Sequence, residues 1–393
     1  MTEWKEYKLG EVVSIASGFA YKGEYIGKGD GLLLGMGCVS YKEKFLMSGA
    51  RPYLGDCAER YYANAGDIVL ATRQQSDNLP ILGMPAIIPN ELKDKKLIVG
   101  ANLYRVTNNS DFDNKYIYWL LKTPAYVRHI ASCKTGTTVG MITKADIENF
   151  VFIAPDKSKR KQILETIDSL DDKIDLLHRE NATLEQMAET LFRQWFVVEA
   201  KEDWEEGTVA DLVEFNPTRK LVKGTIAPFL EMSNLSTSTY SPTYWYDRAY
   251  NSGTKFENGD TLLARITPCL ENGKTAYVDF LCDNQVGWGS TEFIVMHSKM
   301  GLHPFFTYVV AKYQDFRDFA ESCMSGSSGR QRVDVDNLKQ YSMAIPDQST
   351  VELFNNRIDN IVSKMHNNNN QIRTLIETRD GLLPRLMSGE IKI

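Results

Sequence analysis

The chain has 393 residues, 43% of them hydrophobic, 24% charged and 11% aromatic, with a formal net charge of −6. That length fits two or three domains, since about 100–200 residues make one, and the composition excludes a disordered chain. No run approaches the roughly 18 apolar residues that cross a bilayer, the first eight residues lack a signal-peptide apolar region, and the six cysteines contain no C-x-x-C pair, which argues against a disulfide framework and a zinc site. A cytoplasmic protein without membrane contact is expected.

Residues 1–155 (net +2) open with Trp4-Lys5-Glu6-Tyr7-Lys8-Leu9-Gly10-Glu11-Val12-Val13. Short apolar runs such as Asp67-Ile68-Val69-Leu70, set among Gly, Asn and Tyr, predict strands and turns. Helical spacing predicts a helical patch near residues 115–130. Residues 156–200 (net −3) read as one long helix. Its apolar positions Ile163, Ile167, Leu170, Ile174, Leu177, Leu184, Ala188 and Leu191 alternate in steps of four and three, broken at Asn181, which is a coiled-coil seam.

Residues 201–346 (net −5) and 347–393 (net 0) repeat that plan. Trp204 to Val213 resembles the opening at an offset of 200, Glu257-Asn258-Gly259-Asp260-Thr261-Leu262-Leu263-Ala264 resembles Asn64 to Ala71 at 193, and Ala344-Ile345-Pro346-Asp347 repeats Ile153-Ala154-Pro155-Asp156 at 191. A second helical patch is predicted near residues 304–321. The second long helix carries Phe354, Ile358, Ile361, Met365, Ile372, Leu375, Leu382 and Leu386, broken at Asn368 and Arg379. The fold class is therefore α+β: two β-rich globular domains and two long helices, arranged as a pseudo-two-fold internal repeat.

An antiparallel pairing of the helices that places Asn181 opposite Asn368 also matches Ile167 with Leu382, Ile174 with Leu375, Leu177 with Ile372, Leu184 with Met365, Ala188 with Ile361, Leu191 with Ile358 and Trp195 with Phe354. Leu170 then faces Arg379. An Asn buried against an aliphatic residue would lose its hydrogen bonds, so this register is favoured. A helix of around 40 residues spans roughly 60 Å, so the globular domains are expected at opposite ends of the rod.

The common catalytic constellations are missing. Gly273-Lys274-Thr275 resembles the end of a phosphate loop, but Pro268 stands where its first glycine is required. Gly35-Met36-Gly37 is followed by Ser40 where a dinucleotide fingerprint needs glycine. The five histidines lack metal-ligand spacing. What remains is polar loop apparatus. The stretches after the two matching Gly-Asp strands contain Arg73, Gln74, Gln75 and Asn78, and Arg265, Thr267, Asn272 and Lys274. Arg pairs with guanine and Gln or Asn with adenine through paired hydrogen bonds, so these are candidate base readers. Lys134, Thr137 and Thr138, and Ser327, Ser328, Arg330 and Arg332, offer hydroxyls and cations suited to phosphates. Surface hairpins and solvated turns without a partner are the plain alternative.

Several stretches resemble the specificity subunit of type I restriction–modification systems, known as HsdS: the opening residues 4–13, Leu191-Phe192-Arg193-Gln194-Trp195-Phe196-Val197, Gly326-Ser327-Ser328-Gly329-Arg330-Gln331 leading to Ala344-Ile345-Pro346, and the closing Leu383-Pro384-Arg385-Leu386-Met387-Ser388-Gly389-Glu390-Ile391. Asp347-Gln348-Ser349-Thr350, and similarly residues 156–160, depart from the Pro-rich acidic-Gln helix start of many members. The resemblance implies two target-recognition domains, residues 1–155 and 201–346, each reading half of a bipartite double-stranded DNA target. It implies that the helices, 156–200 and 347–393, set the spacer and dock two methylation subunits, with two motor-nuclease (restriction) subunits in the complex. It also implies a non-catalytic chain without cofactor, with S-adenosylmethionine, ATP and Mg²⁺ on the partners. The two globular domains align only in their framing segments, so unlike half-sites are expected. The rival reading is a non-catalytic scaffold whose two modules grip protein or glycan ligands across a helical spacer.

Overall fold

The computed structural model describes residues 4–41, 43–74, 80–136, 138–242, 244–299, 301–327 and 329–391. The chain packs as two units, Met1–Asp171 with Ile376–Ile393, and Asp172–Leu375.

In the first unit, strand Lys5–Lys8 runs antiparallel to Val151–Ala154 and ties the two ends of the globular part together. A central antiparallel sheet follows the order Val13–Ser17, Leu103–Asn108, Ile68–Ala71, Pro85–Ile87. Strand Ile68–Ala71 is buried on both faces: Ile68 and Leu70 join a core with Val106 and Ile117, while Val69 and Ala71 join another with Leu34 and Val99. A strand covered on both faces has no polar side, which is why this run is continuously apolar rather than alternating. A second sheet has the order Ala50–Tyr53, Ile26–Leu34, Leu97–Val99, Tyr62–Ala63, with its middle two strands parallel and Leu33 opposite Ile98.

The second unit repeats this topology strand for strand. Glu205–Thr208 pairs with Ser342–Ile345. The central sheet runs Val213–Phe215, Phe293–Ser298, Thr261–Ala264, Thr275–Tyr277, and the second sheet runs Tyr246–Ala249, Ile226–Leu230, Gly287–Gly289, Thr254–Phe256, again with a parallel middle pair, Phe229 opposite Trp288. The two helical patches are each split in two. Asn114–Leu120 is followed by Pro124–Cys133, capped by the Thr123 side chain and opened by proline. Phe306–Lys312 is followed by Gln314–Ser322, with Tyr313 between them in an extended conformation.

The long helices are α1, Lys157–Phe192, and α2, Gln348–Met387. Both start at an aspartate of the repeated Pro-Asp. Asp156 accepts a hydrogen bond from the Lys159 amide at 3.0 Å and Asp347 from the Thr350 amide at 2.8 Å, each satisfying a free N–H of the first turn. Within the first unit, Ile163 and Ile167 of α1 share a core with Leu383, Leu386 and Met387 of α2. Within the second, Ala188 and Phe192 share one with Phe354, Ile358, Ile361 and Met365.

The helices are antiparallel in the second unit. The Asn368 side-chain amide donates to Asn181 Oδ1 at 2.9 Å and to Glu180 at 3.0 Å, Asn181 Nδ2 donates to Asn369 Oδ1 at 2.9 Å, and Trp195 lies edge-on to Phe354 with centroids 6.4 Å apart. Two departures from the simple seam stand out. Arg379 turns from Leu170 to its neighbour, donating to Asp171 at 2.7 Å beside the Trp119 ring, and Asp171 also pairs with Lys44. A guanidinium that is mostly buried requires a carboxylate, and Leu170 offers none. Beyond Phe192, residues Arg193–Val198 form a π-helical turn instead of continuing α1 to residue 200, closed by the Glu199 amide on the Gln194 carbonyl at 2.8 Å.

Candidate nucleic-acid interface

In the first unit, the central strand Ile68–Ala71 leads into Arg73–Gln74, which pairs with Gly140–Met141, Arg73 opposite Met141 and Gln74 opposite Gly140. The polar stretch from Lys134 closes on the same place. Thr135 N donates to the Met141 carbonyl at 3.0 Å and Met141 N returns to Thr135 at 2.8 Å. Gly136 makes this hairpin possible: its φ is +90°, and a Cβ there would stand 2.3 Å from the Val139 carbonyl oxygen. The two stretches, over 60 residues apart in the chain, thus form one edge.

Arg73, Lys134 and Thr138 are exposed along it. Gln74 is not a free reader: it is 8% exposed and its Oε1 accepts from the Leu82 amide at 3.2 Å. Buried polar groups are satisfied inside the protein, and alternation along the strand turns Gln74 inward when Arg73 points out. Gln75, Asn78 and Thr137 lie outside the described residues.

The second unit builds the same edge. Met324–Ser325 pairs with Arg332–Val333, Ile266 bridges Arg332, and Val333 N donates to the Arg265 carbonyl at 2.8 Å. Thr267 N donates to the Gln331 carbonyl at 3.1 Å, and Gln331 N returns to Thr267 Oγ1 at 3.1 Å. The Thr267 hydroxyl therefore holds the two stretches together. Lys274 is likewise engaged internally, its Nζ donating to the Met232 carbonyl at 2.9 Å. Asn272 is exposed, its amide N donating to the Pro268 carbonyl. Ser327 and Arg330 are exposed on a turn closed by Arg330 N on the Ser327 carbonyl at 3.0 Å, while Ser328 lies outside the described residues.

Arg265 donates from Nη2 to the Val333 carbonyl at 3.2 Å and, with Ser325, Arg332, Asp334 and Asp336, lines an open cavity of about 540 Å³. Arg332 is clamped by Glu292 through three hydrogen bonds of 2.6 to 2.9 Å, and these hold the Glu292 carboxyl below the usual range. Glu292 is a residue of this edge that sequence reading did not single out. It is one acid among many and lies 40 residues from Arg332, so no spacing marks the pair. The positions occupied by Arg73 and Met141 in the first unit are taken by Ile266 and Arg332 in the second, on one backbone pattern. Such an edge offers cations, hydroxyls and an arginine fork to an anionic, hydrogen-bonding polymer.

Among the described residues no group of His, Cys, Asp and Glu could hold a metal ion, and no helix is long and apolar enough to cross a membrane.

Residues 1–186, just under half of the chain, match the family model described as the type I restriction modification DNA specificity domain. The HindI specificity subunit of Haemophilus influenzae is 22% identical over the full length of both chains. Over its full length the chain is similar to type I restriction–modification specificity subunits. The EcoAI specificity subunit of Escherichia coli is 32% identical over 34% of this chain and 24% of its own. Among solved structures, the type I S subunit of M. genitalium has the same fold, with a TM-score of 0.50 at 15% identity, covering 98% of this chain and 96% of that one. The specificity-subunit fold thus consists here of two sheet-rich units served by two long helices.

Proposed function

We propose that this specificity subunit reads DNA sequence, each unit contacting one half of a bipartite target through its duplicated polar edge. The observation that carries this is the repetition itself: two sequence-unlike stretches meet on the same backbone scaffold in both units, one with Arg73, Lys134 and Thr138, the other with Arg265, Arg330 and Arg332. Rigid strand pairing with variable side chains is what a reader needs, because base edges discriminate only when the donor geometry is fixed. Met141 and Arg332 occupy equivalent positions, so the two half-sites differ and the target is asymmetric.

On this reading the chain is non-catalytic. The exposed faces of α1 and α2 dock two methylation subunits, which carry S-adenosylmethionine and modify adenine. Two restriction subunits bring ATP, Mg²⁺ and cleavage, and the complex works in the cytoplasm. The scaffold that grips protein or glycan ligands is not favoured, since the likeness to specificity subunits runs the full length.

The test is co-expression with the neighbouring methylation subunit in a host free of adenine methylation, followed by genome-wide mapping of modified adenines. A split motif with two unlike halves is the expected result. A palindrome overturns the asymmetry of the target, and a stable complex that modifies nothing overturns the reading.

A further inference from the structure

Arg332 is both exposed and fixed. Its side chain is 48% exposed, yet its backbone is held from two sides, by pairing with Ser325 and by the bridge to Ile266. Glu292 holds the guanidinium: Nε donates to both carboxylate oxygens at 2.9 Å and Nη2 to Oε1 at 2.6 Å. Glu292 is anchored in turn, because its carbonyl accepts the Arg265 amide at 3.0 Å just before strand Phe293–Ser298 enters the central sheet.

A guanidinium presents five N–H groups in one plane. The carboxylate takes the Nε–Nη2 side, which leaves the end-on edge, Nη1 with the second proton of Nη2, outside the pair. That edge matches the N7 and O6 acceptors of guanine in the major groove, whereas adenine places a donor where O6 stands. A phosphate at the same edge would meet the negative charge of Glu292, and a neutral base edge would not.

Resting on the DNA-reading function proposed above, we infer that Glu292 is a positioning residue that presents Arg332 to a guanine in the half-site read by the second unit. The first unit has a different pair there: Met141 matches Arg332, and Asn102, which precedes the strand residue opposite Ala71, matches Glu292. Arg330, on the exposed turn, is left to the sequence-independent phosphate contacts.

The experiment uses the full chain in complex with its methylation subunit and measures adenine methylation on every duplex that differs from the wild-type motif by one base pair. The wild type should show a guanine in one half-site whose preference over other bases falls roughly tenfold to hundredfold in Arg332→Ala, with other positions unchanged. Glu292→Gln, nearly isosteric, and Glu292→Ala should loosen that same position. Arg332→Lys should not restore it, since an ammonium cannot form the fork. Melting temperatures equal to wild type show that the variants fold.

A wild-type motif without a guanine at any position sensitive to Arg332 overturns the inference. So does an Arg332→Ala effect spread evenly over all sequences with a shallower salt dependence, the mark of a phosphate contact, or a Glu292 variant that leaves the position unchanged. If the wild-type complex forms but methylates without sequence preference, the DNA-reading proposal itself fails and takes this inference with it.

Discussion

Asn368 is fully buried and Asn181 is 6% exposed, and the hydrogen bond between their side chains forms an amide layer within the second unit's apolar helix packing. A buried amide facing a partner amide contributes modestly, whereas a buried amide facing an aliphatic side chain loses its partner and keeps its desolvation cost. Asn181→Leu or Asn368→Leu alone should therefore destabilise the protein by about 1–3 kcal/mol. The double variant should recover most of that loss, as apolar replacement of both partners is often neutral or stabilising. Denaturant titration of the four proteins of this cycle measures the coupling, and additive losses would mean that the two side chains do not act as a pair. Residue-level reading of the sequence located this layer because seam periodicity is local and each Asn interrupts it visibly. Glu292 and the inward turn of Gln74 escaped for the opposite reason: both depend on which residue a strand places beside them, and strand pairing joins positions far apart in the chain.

At the scale of elements, repeated framing segments made the two halves and the two long helices legible, since aligned Gly-Asp and Pro-Asp motifs recur at nearly constant offsets. The second sheet in each unit was not legible. Its parallel middle pairs, Leu33 with Ile98 and Phe229 with Trp288, are joined across more than 50 residues, and a parallel pair has no tight turn to announce it. The helices carry a prediction that follows from where the units divide. The division falls between Asp171 and Asp172 in α1 and between Leu375 and Ile376 in α2, so one added helical turn at both places leaves the packing register inside each unit as it was. A turn lengthens a helix by about 5.4 Å, which corresponds to one or two base pairs at about 3.4 Å each. Methylation mapping of that variant should return the same half-sites with a spacer longer by that amount. The turn inserted in α1 alone would shift its seam against α2 and should lower stability. Altered half-sites in the doubly lengthened variant would show that the helices shape recognition as well as spacing.

Over the whole molecule the charge distribution limits how DNA can be held. The chain is net −6, and its second globular region, residues 201–346, is net −5. Non-specific affinity for DNA comes mainly from phosphate neutralisation and counterion release, so this chain must bind phosphates through few, local cations rather than a positive field. Exposed Arg73, Lys134 and Arg330 stand at the two edges, and the Lys274 ammonium donates to a backbone carbonyl. The isolated chain should bind duplex DNA weakly, with a shallow fall of log K against log salt. Each phosphate contact contributes about 0.9 to that slope, so Lys134→Ala and Arg330→Ala should each flatten it by about that much while leaving sequence preference intact. Adding the methylation subunit should steepen it by several such steps. Fluorescence anisotropy on a labelled duplex over a range of salt concentrations measures all three slopes. A slope for the chain alone as steep as that of the complex would show that the specificity subunit, despite its acidity, holds the DNA without help from its partners.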